Sequence, residues 1–536
     1  MTQPTPHTGP PPHESETEWP PLGLLGFWNI AEHEPDRPAL LLPDRSSRTF
    51  GELLREANRL CHALRSLDLE PGDCIAALLP NDANAYSVRL ATFQSGLYLT
   101  LLNHHLAGTE IAYVLEDSES KLLIAHERFA ELALRAIDES SKLEPRRCFA
   151  VGEIPGFESL DDLARSQPET LPTNRRAGQL MPYTSGTTGR PKGVRRPLPD
   201  DDPTLVAARS TIFARAFGLR PMDGAHLVLG PLYHAGPAVF SWGSLDVGHR
   251  QIVTDRFDPE QTLRAIEAHH ITNTHVVATM FHRLLALPEE IRTRYDVSSL
   301  RMVAHSAAPT PVEVKKRMMD WWGPVIWETY GGTEVAATIA KPHHWLAKPG
   351  TVGRPVRGVR ISIVDEDGRP CPSGTPGRIY IGREGPKVEY WKDAEKTRSI
   401  RRGDAITIGD VGYLDEDGFL FLTGRHSEVI ISGGVNIYPA EVENALLAHP
   451  AVADLAVIGV PDEEWGERVI AVVQPREGRD PDGLEDELLA FCRDRIAHFK
   501  CPREIHFRSK LPREENGKLY RRRLREEFWK PAGRQI

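Results

Sequence analysis

The sequence predicts an α/β fold: a large multi-subdomain N-terminal region, with two layered α/β subdomains plus a small β subdomain, followed by a small α+β C-terminal domain. Three observations carry this expectation. At 536 residues the chain exceeds the roughly 250–300 residues at which single cores stop growing. Over its first two thirds short apolar runs alternate with helical stretches, the pattern of layered sheets with largely parallel strands. After about Gly353 the texture changes to Gly- and Asp-rich turns between short strands, and the last part of the chain has a pattern of its own.

Taken in order, residues 1–19 hold Pro4, Pro6, Pro10, Pro11 and Pro12 followed by Glu14, Glu16 and Glu18. That composition cannot bury a core, and a disordered arm is expected. Thr49-Phe50-Gly51-Glu52 reads as a capping box opening a helix whose apolar positions Leu53, Ala57, Leu60 and Leu64 recur at helical spacing. Gly72-Asp73 then turns into Cys74-Ile75-Ala76-Ala77-Leu78-Leu79, a buried strand. Strand-like runs recur at 121–125, 227–229, 251–254, 275–277 and 302–304. Residues 364–368 and 413–418 are the turns of a small antiparallel subdomain. A helix from Pro439, strands at 455–460 and 469–473, and an amphipathic helix carrying Leu484, Leu488, Cys492 and Ile496 make up the C-terminal unit.

Composition excludes several classes. With 65 Lys and Arg against 75 Asp and Glu, the net charge of −10 offers no basic footprint for nucleic acid. The six cysteines are scattered with no C-x-x-C pair, which argues against a zinc site or a disulfide framework and suits a reducing cytoplasm. No apolar run approaches the ~18–20 residues that span a bilayer.

The chemistry is concentrated first in Thr184-Ser185-Gly186-Thr187-Thr188-Gly189-Arg190-Pro191-Lys192-Gly193. Glycines let backbone N–H groups approach phosphate oxygens, hydroxyls donate further hydrogen bonds, and Arg190 and Lys192 offset negative charge. A Walker A loop, G-x-x-x-x-G-K-S/T, does not fit, because Lys192 lies beyond Pro191 and precedes Gly193. The segment closely resembles the phosphate loop of the adenylate-forming superfamily of acyl-CoA synthetases, luciferases and nonribosomal-peptide adenylation domains. The resemblance runs from about Phe27 to the C-terminus, with its motifs in family order.

Carried over residue by residue, the resemblance implies the following. Ser306, Ala307 and Ala308, with Thr329, Tyr330, Gly331, Gly332, Thr333 and Glu334, look like the adenine- and magnesium-binding motifs, Tyr330 stacking on the base and Glu334 with Thr184 serving the metal. Asp410 resembles the aspartate that accepts the ribose hydroxyls, and Arg425 is positioned to touch ribose. The family usually has Thr where Ile408 stands, and Asp or Lys where Ser427 stands. His234 is similar to the aromatic or histidine gate of the acyl site, whose pocket is drawn from His234, Phe240, Met280, Phe281, His305 and Gly331. Ser427, Gly433, Gly434 and Asn436 resemble the hinge and the coenzyme A tunnel, and Lys518 the lysine that serves adenylation.

The resemblance thus implies an arm at 1–19, a large adenylation domain at 20–424, a hinge at 425–428 and a mobile small domain at 429–536. It implies an ATP- and Mg²⁺-dependent acyl-CoA ligase with Lys518, His234 and Glu334 as catalytic residues, taking a small-molecule, lipophilic carboxylic acid and coenzyme A. An adenylation-only enzyme serving a carrier protein or partner ligase is the alternative, and a homodimer stays open. A nonribosomal amino-acid module would need an aspartate near His234 for the substrate ammonium, and none stands there. A non-catalytic adenylate binder would be expected to lack Lys518 or Glu334, and both are present.

Overall fold

Six parallel strands form the first sheet, in the order Glu158–Ser159, Cys148–Val151, Ser120–His126, Cys74–Leu78, Tyr98–Leu101, Gln179–Leu180. The computed structural model describes residues 19–140, 142–184, 191–308, 310–385, 387–432, 435–462, 465–479, 482–513 and 519–529, without the side chains of Ser427, Asn436 and Arg522. The strand Cys74–Leu78 is buried at every position, as a sheet covered on both faces requires. The helix Phe50–Arg65 covers it; Thr49 accepts from the Glu52 N–H and the Glu52 carboxylate accepts from the Thr49 N–H, closing the expected capping box.

A second, larger sheet begins with parallel strands Pro38–Leu41, Arg250–Val253, Ala225–Val228, Asn273–Val276, Met302–His305 and Ile326–Gly331. Beyond Ile326–Gly331 the pairing turns antiparallel, through Ala336–Ala340, Thr351–Pro355, Leu420–Arg425, Asp410–Leu414 and Gly377–Arg383. The small antiparallel subdomain expected after Gly353 is therefore present but not separate: Thr351 pairs with Phe421 and joins it to the second α/β sheet. The turns at 364–368 and 413–418 connect its strands as expected.

The C-terminal unit is α+β. Strands Val452–Asp462 and Gly466–Pro475 form a long hairpin, Glu504–Phe507 adds in parallel, and helices Pro439–Leu447 and Leu484–Arg493 pack on the sheet. Residues 1–18 of the expected arm lie outside the described residues, whereas Trp19 packs against the cluster of Phe213, Phe217 and Phe240 with the Arg215 guanidinium 5.6 Å from its ring. All six thiols are free. Among the described residues no helix is long and apolar enough to cross a membrane.

Candidate active site

The stem of the phosphate loop is a β-hairpin. Lys192 is paired with Thr184 and Gly193 with Tyr183, and a third short strand, Glu389–Tyr390, lies against Lys192–Arg195. A Cβ on Gly193 would come within 3.0 Å of the Tyr183 ring, so glycine is what lets the two strands close. The Tyr183 hydroxyl donates to Asp117 Oδ2 at 2.6 Å and anchors the stem to the first sheet's layer. Ser185, Gly186, Thr187, Thr188, Gly189 and Arg190 lie outside the described residues, between the two described ends of this stem. Lys192 Nζ donates to Asp393 Oδ2 at 2.7 Å. That contact, with the Lys396 N–H, holds the Asp393 carboxyl below its ordinary range.

Opposite the stem, the strand Ile326–Gly331 ends in a tight turn. Its register slips between Tyr330 and Gly331, and a Cβ on Gly331 would meet the Val335 carbonyl at 2.4 Å. The Gly332 N–H donates to Val335 O at 2.9 Å, closing the turn that presents Thr333 and Glu334. Arg196, just past the hairpin, donates to the carbonyls of both at 2.5 and 3.1 Å. Glu334 Oε1 accepts from the Tyr390 hydroxyl at 2.7 Å, while Oε2 lies 2.7 Å from the position a Gly332 Cβ would take. Tyr390 thus ties the phosphate hairpin to Glu334. Sequence reasoning missed Tyr390, Asp393 and Arg196.

Glu334 Oε2 is the hard oxygen this arrangement offers to a cation, and Thr184 carries a second at the hairpin mouth. Among the described residues no group of three or more His, Cys, Asp or Glu could hold a metal. This donor set fits Mg²⁺ held chiefly by phosphates and water, with a single carboxylate from the protein.

The Tyr330 hydroxyl donates to Asp410 Oδ2 at 2.9 Å, and Arg425 Nε stands 3.3 Å from Asp410 Oδ1. Asp410 and Arg425 are register partners on adjacent strands. Burial raises the Asp410 carboxyl's pKa, and Arg425 and Tyr330 pull it back. The tyrosine is therefore held by its tip, with its ring packed beside Val194 and Val335. Thr329 Oγ1 donates across the sheet to Thr338 O at 2.9 Å. Where the family's Thr is replaced, Ile408 puts methyl carbons 3.5 Å from the Gly332 Cβ position, and the neighbouring Thr407 hydroxyl accepts from the Gly409 N–H at 3.1 Å.

Ser306, Ala307 and Ala308 follow the strand Met302–His305 at its carboxyl end. Ala307 has φ of +72°, a left-handed conformation that costs a non-glycine residue of order 1 kcal/mol and marks a constrained turn. Ser306 Oγ is 2.9 Å from His275 Nε2, and Phe240 stacks on the His275 ring at 5.1 Å and 20°. Gly236, at the start of the helix Ala235–Leu245, leaves room for that imidazole, which a Cβ would approach to 2.9 Å. His234 sits at the N-cap position of the same helix, its ring 4.6 Å from Tyr233.

Phe240 and Phe281, both expected in the acyl pocket, are buried in hydrophobic clusters. Phe240 belongs to the Phe217 cluster; Phe281 is fully buried, edge-on to His305 and Trp322 at 5.6 and 6.4 Å. Met280, also in the core by its burial, precedes it on the same helix. Beneath this region lies a buried charge cluster that the sequence did not disclose. Lys315, 0% exposed, donates to Glu328 Oε2 at 2.7 Å; His305 Nε2 is 3.3 Å from the same oxygen, and Lys315 Nζ stands 4.8 Å from the Trp345 ring centroid. Burial opposes the Glu328 charge, but Lys315 and His305 bring its pKa to about 2. Burial takes His275 down to about 3 and lowers His305, so both imidazoles are neutral.

Gly433, Gly434 and Lys518 lie outside the described residues, as do the side chains of Ser427 and Asn436. Ser427 is central in the short helical turn His426–Glu428. Asn436 lies on a strand paired with Ile430–Ser432, its register partner being Ile431. Glu428 and Glu443 share Arg521 at 2.8 and 2.6 Å, and Arg513, paired with Asp454 at 2.6 Å, bridges to Leu519 at the base of the segment that carries Lys518.

The AMP-binding enzyme family matches residues 27–391, and the AMP-binding enzyme C-terminal domain matches residues 441–518. The fatty acid–acyl-carrier-protein ligase ScoC of Streptomyces coeruleorubidus is 31% identical over 520 residues, covering 94% of this chain and 96% of that protein. The 2-succinylbenzoate–CoA ligase of Bacillus licheniformis is 34% identical over 503 residues, covering 92% and 98%. The crystal structure of the anthranilate CoA ligase AuaEII in complex with anthranoyl-AMP superposes with a TM-score of 0.83 at 26% identity, over 95% of this chain and 98% of that one. Similarity of this extent, spanning both the large region and the small C-terminal domain, makes the chain a member of the AMP-binding enzyme family, within the adenylate-forming superfamily.

Proposed function

We propose that the protein is an AMP-forming acid–thiol ligase that activates a lipophilic carboxylic acid as its acyl-adenylate and transfers the acyl group to coenzyme A. The observation that carries this reading is the placement of Tyr330, Asp410 and Glu334 around one end of the sheet, facing the stem of the phosphate hairpin through Tyr390. Relatives named as CoA ligases along the whole chain support it.

In the first half-reaction a substrate carboxylate oxygen bonds to the α-phosphorus of ATP as the bond to the β-phosphate bridge oxygen breaks and pyrophosphate leaves. Asp410 accepts from the ribose hydroxyls, Tyr330 and the 306–308 turn receive the base, and Thr184 to Lys192 with Lys518 receive the phosphates. Glu334 and Thr184 would hold Mg²⁺, which when bound would neutralise phosphoryl charge. Positioning and prearranged charge stabilisation are the two terms that matter for such a displacement. In the second half-reaction the thiol sulfur bonds to the acyl carbon as the bond from that carbon to the phosphate oxygen breaks; AMP leaves with the electron pair and the thiol proton passes to solvent. The large domain 20–424 holds the adenylate while the small domain 429–536 turns about 425–428, bringing Gly433, Gly434 and Asn436 to the thiol. The neutral His275, with His234, Phe240, Met280, Phe281, His305 and Gly331, suits an uncharged acyl body.

A carrier protein as acceptor is the second reading, favoured by the relative named as an acyl-carrier-protein ligase. Incubation with ATP, Mg²⁺ and aliphatic, aryl and polycyclic acids, with coenzyme A varied, separates the two. Pyrophosphate and acyl-CoA, both lost in Lys518→Ala, are expected. Acyl-adenylate without thioester moves the assignment to the carrier-protein reading, and absence of pyrophosphate from every acid counts against both.

A further inference from the structure

Behind the phosphate hairpin, away from Glu334 and Asp410, lies a cavity of about 540 Å³ between the first sheet and the strand Lys192–Arg195. Arg195 lines it, with its guanidinium carbon 4.2 Å from the Tyr98 ring centroid and 3.8 Å from that of Trp391. Both rings are fixed by their polar ends: the Tyr98 hydroxyl donates to Arg196 O at 2.7 Å, and Trp391 Nε1 donates to Asp117 O at 2.8 Å. A guanidinium packed on two fixed rings still has its N–H edge, the edge that forms paired hydrogen bonds to oxyanions. Among the described residues no acceptor is within hydrogen-bonding distance of it.

Cations outnumber carboxylates in the surroundings. Lys121 and Lys142 enter the cavity wall from two other segments. Of the two carboxylates in the wall, Asp73 accepts from the Glu70 N–H at 3.0 Å, and Glu119 stands 3.2 Å from Lys392. Burial raises the pKa of the Cys74 thiol, so it is neutral and cannot serve as counter-ion. Three cations from separate parts of the chain, against two carboxylates of which Glu119 is already paired with Lys392, therefore line a space with apolar walls at Met181 and Leu143.

We propose that this cavity is a second ligand site, for a small organic anion carrying a phosphate or carboxylate group on an apolar body, and that its occupancy is coupled to the phosphate hairpin. The coupling route is short. The Trp391 N–H donates to Gly193 O at 2.8 Å, and two residues on, Asp393 holds Lys192. Whatever seats itself on Arg195 and Trp391 biases the segment that sets the hairpin's lysine, and a nucleotide on the hairpin biases the cavity equally.

The test is calorimetric titration of the full-length protein, its nucleotide site saturated with Mg²⁺ and α,β-methylene-ATP, using phenyl phosphate and hexyl phosphate as probes. One additional binding event is expected for at least one probe, weakened tenfold or more in Arg195→Met and several-fold in Lys142→Met, whose exposed side chain carries little risk to folding. Separate titration shows that both variants still bind the ATP analogue, so loss of the second event is not loss of the nucleotide site. The reciprocal arm measures analogue affinity with and without the bound probe, and a change of at least twofold is expected. No additional event with either probe, unaltered affinity in both variants, or analogue affinity insensitive to the probe overturns the proposal.

Discussion

Tyr330 and Asp410, eighty positions apart in sequence, meet through a 2.9 Å hydrogen bond from the tyrosine hydroxyl to Oδ2 of a carboxylate that is only 8% exposed. Burial raises the Asp410 pKa, so the donors around it keep it available as an acceptor. Tyr330→Phe removes one donor without removing the ring. One hydrogen bond to a charged group contributes about 1.5–3 kcal/mol, which corresponds to a rise of roughly ten- to a hundredfold in KM for ATP with little change in kcat. Asp410→Asn should cost more. Steady-state pyrophosphate release against ATP concentration checks both, and an unchanged KM in Tyr330→Phe counts against Asp410 as the ribose acceptor.

Glu334 shares its carboxylate between Tyr390 and an open side. Glu334→Gln keeps the shape and removes the charge; kcat should fall by about a hundredfold or more, and the Mg²⁺ concentration for half-maximal rate should rise. Tyr390→Phe frees Oε1 but leaves the charge, so its loss should be tenfold or less. A magnesium titration of both variants distinguishes these roles, and a Glu334→Gln enzyme with an unshifted magnesium requirement would remove the metal assignment.

The Lys315–Glu328 pair is buried. Removing one partner strands the other charge, so Lys315→Met is expected to destabilise by about 3–5 kcal/mol, whereas Lys315→Met with Glu328→Gln should recover part of that loss. Urea unfolding followed by circular dichroism compares them. A double variant no more stable than Lys315→Met alone would show that the pair is not the source of the effect.

Two buried imidazoles make the fold acid-sensitive. His226 accepts from Asn273 Nδ2 at 2.9 Å through Nδ1, and burial takes both it and His275 from 6.5 to about 3. Because the folded pKa values are depressed, the unfolded chain binds more protons between pH 6.5 and 3. Stability attributable to them is therefore full above pH 6.5 and falls on acidification, by roughly 1.4 kcal/mol per group per pH unit inside that window. Melting temperature against pH should drop below pH 6, and the drop should be shallower in His226→Gln, even if that variant is less stable at pH 7.

Much of this was legible in the sequence where the signal is local. Thr49 and Glu52 lie three apart and give the helix start directly. Apolar runs locate the parallel strands to within a few residues, because a strand covered on both faces needs continuous apolar residues. Pairing between distant segments leaves no such trace. The antiparallel layer joins the second sheet through Thr351 and Phe421, seventy positions apart, and Lys192 finds Asp393 across 201 residues. Phe240 and Phe281 illustrate another limit: spacing shows that an aromatic residue is buried, not whether it faces a core or a pocket. Lys315 reads as a surface lysine until the fold places Glu328 and Trp345 against it.

The strand Ile326–Gly331 is the seam where parallel neighbours give way to antiparallel ones. On its parallel flank stand His305 and His275, the proposed acyl side, with the 306–308 turn proposed for the base directly after His305. Toward its antiparallel flank lie Asp410 and Arg425, the proposed nucleoside side. The two proposed specificities thus meet at one backbone segment, with Ser306 in contact with His275 where they adjoin. On this proposal, changes at His275 and His305 retune which acid is accepted while Asp410 and Arg425, on the far side of the seam, keep their hold on the nucleoside.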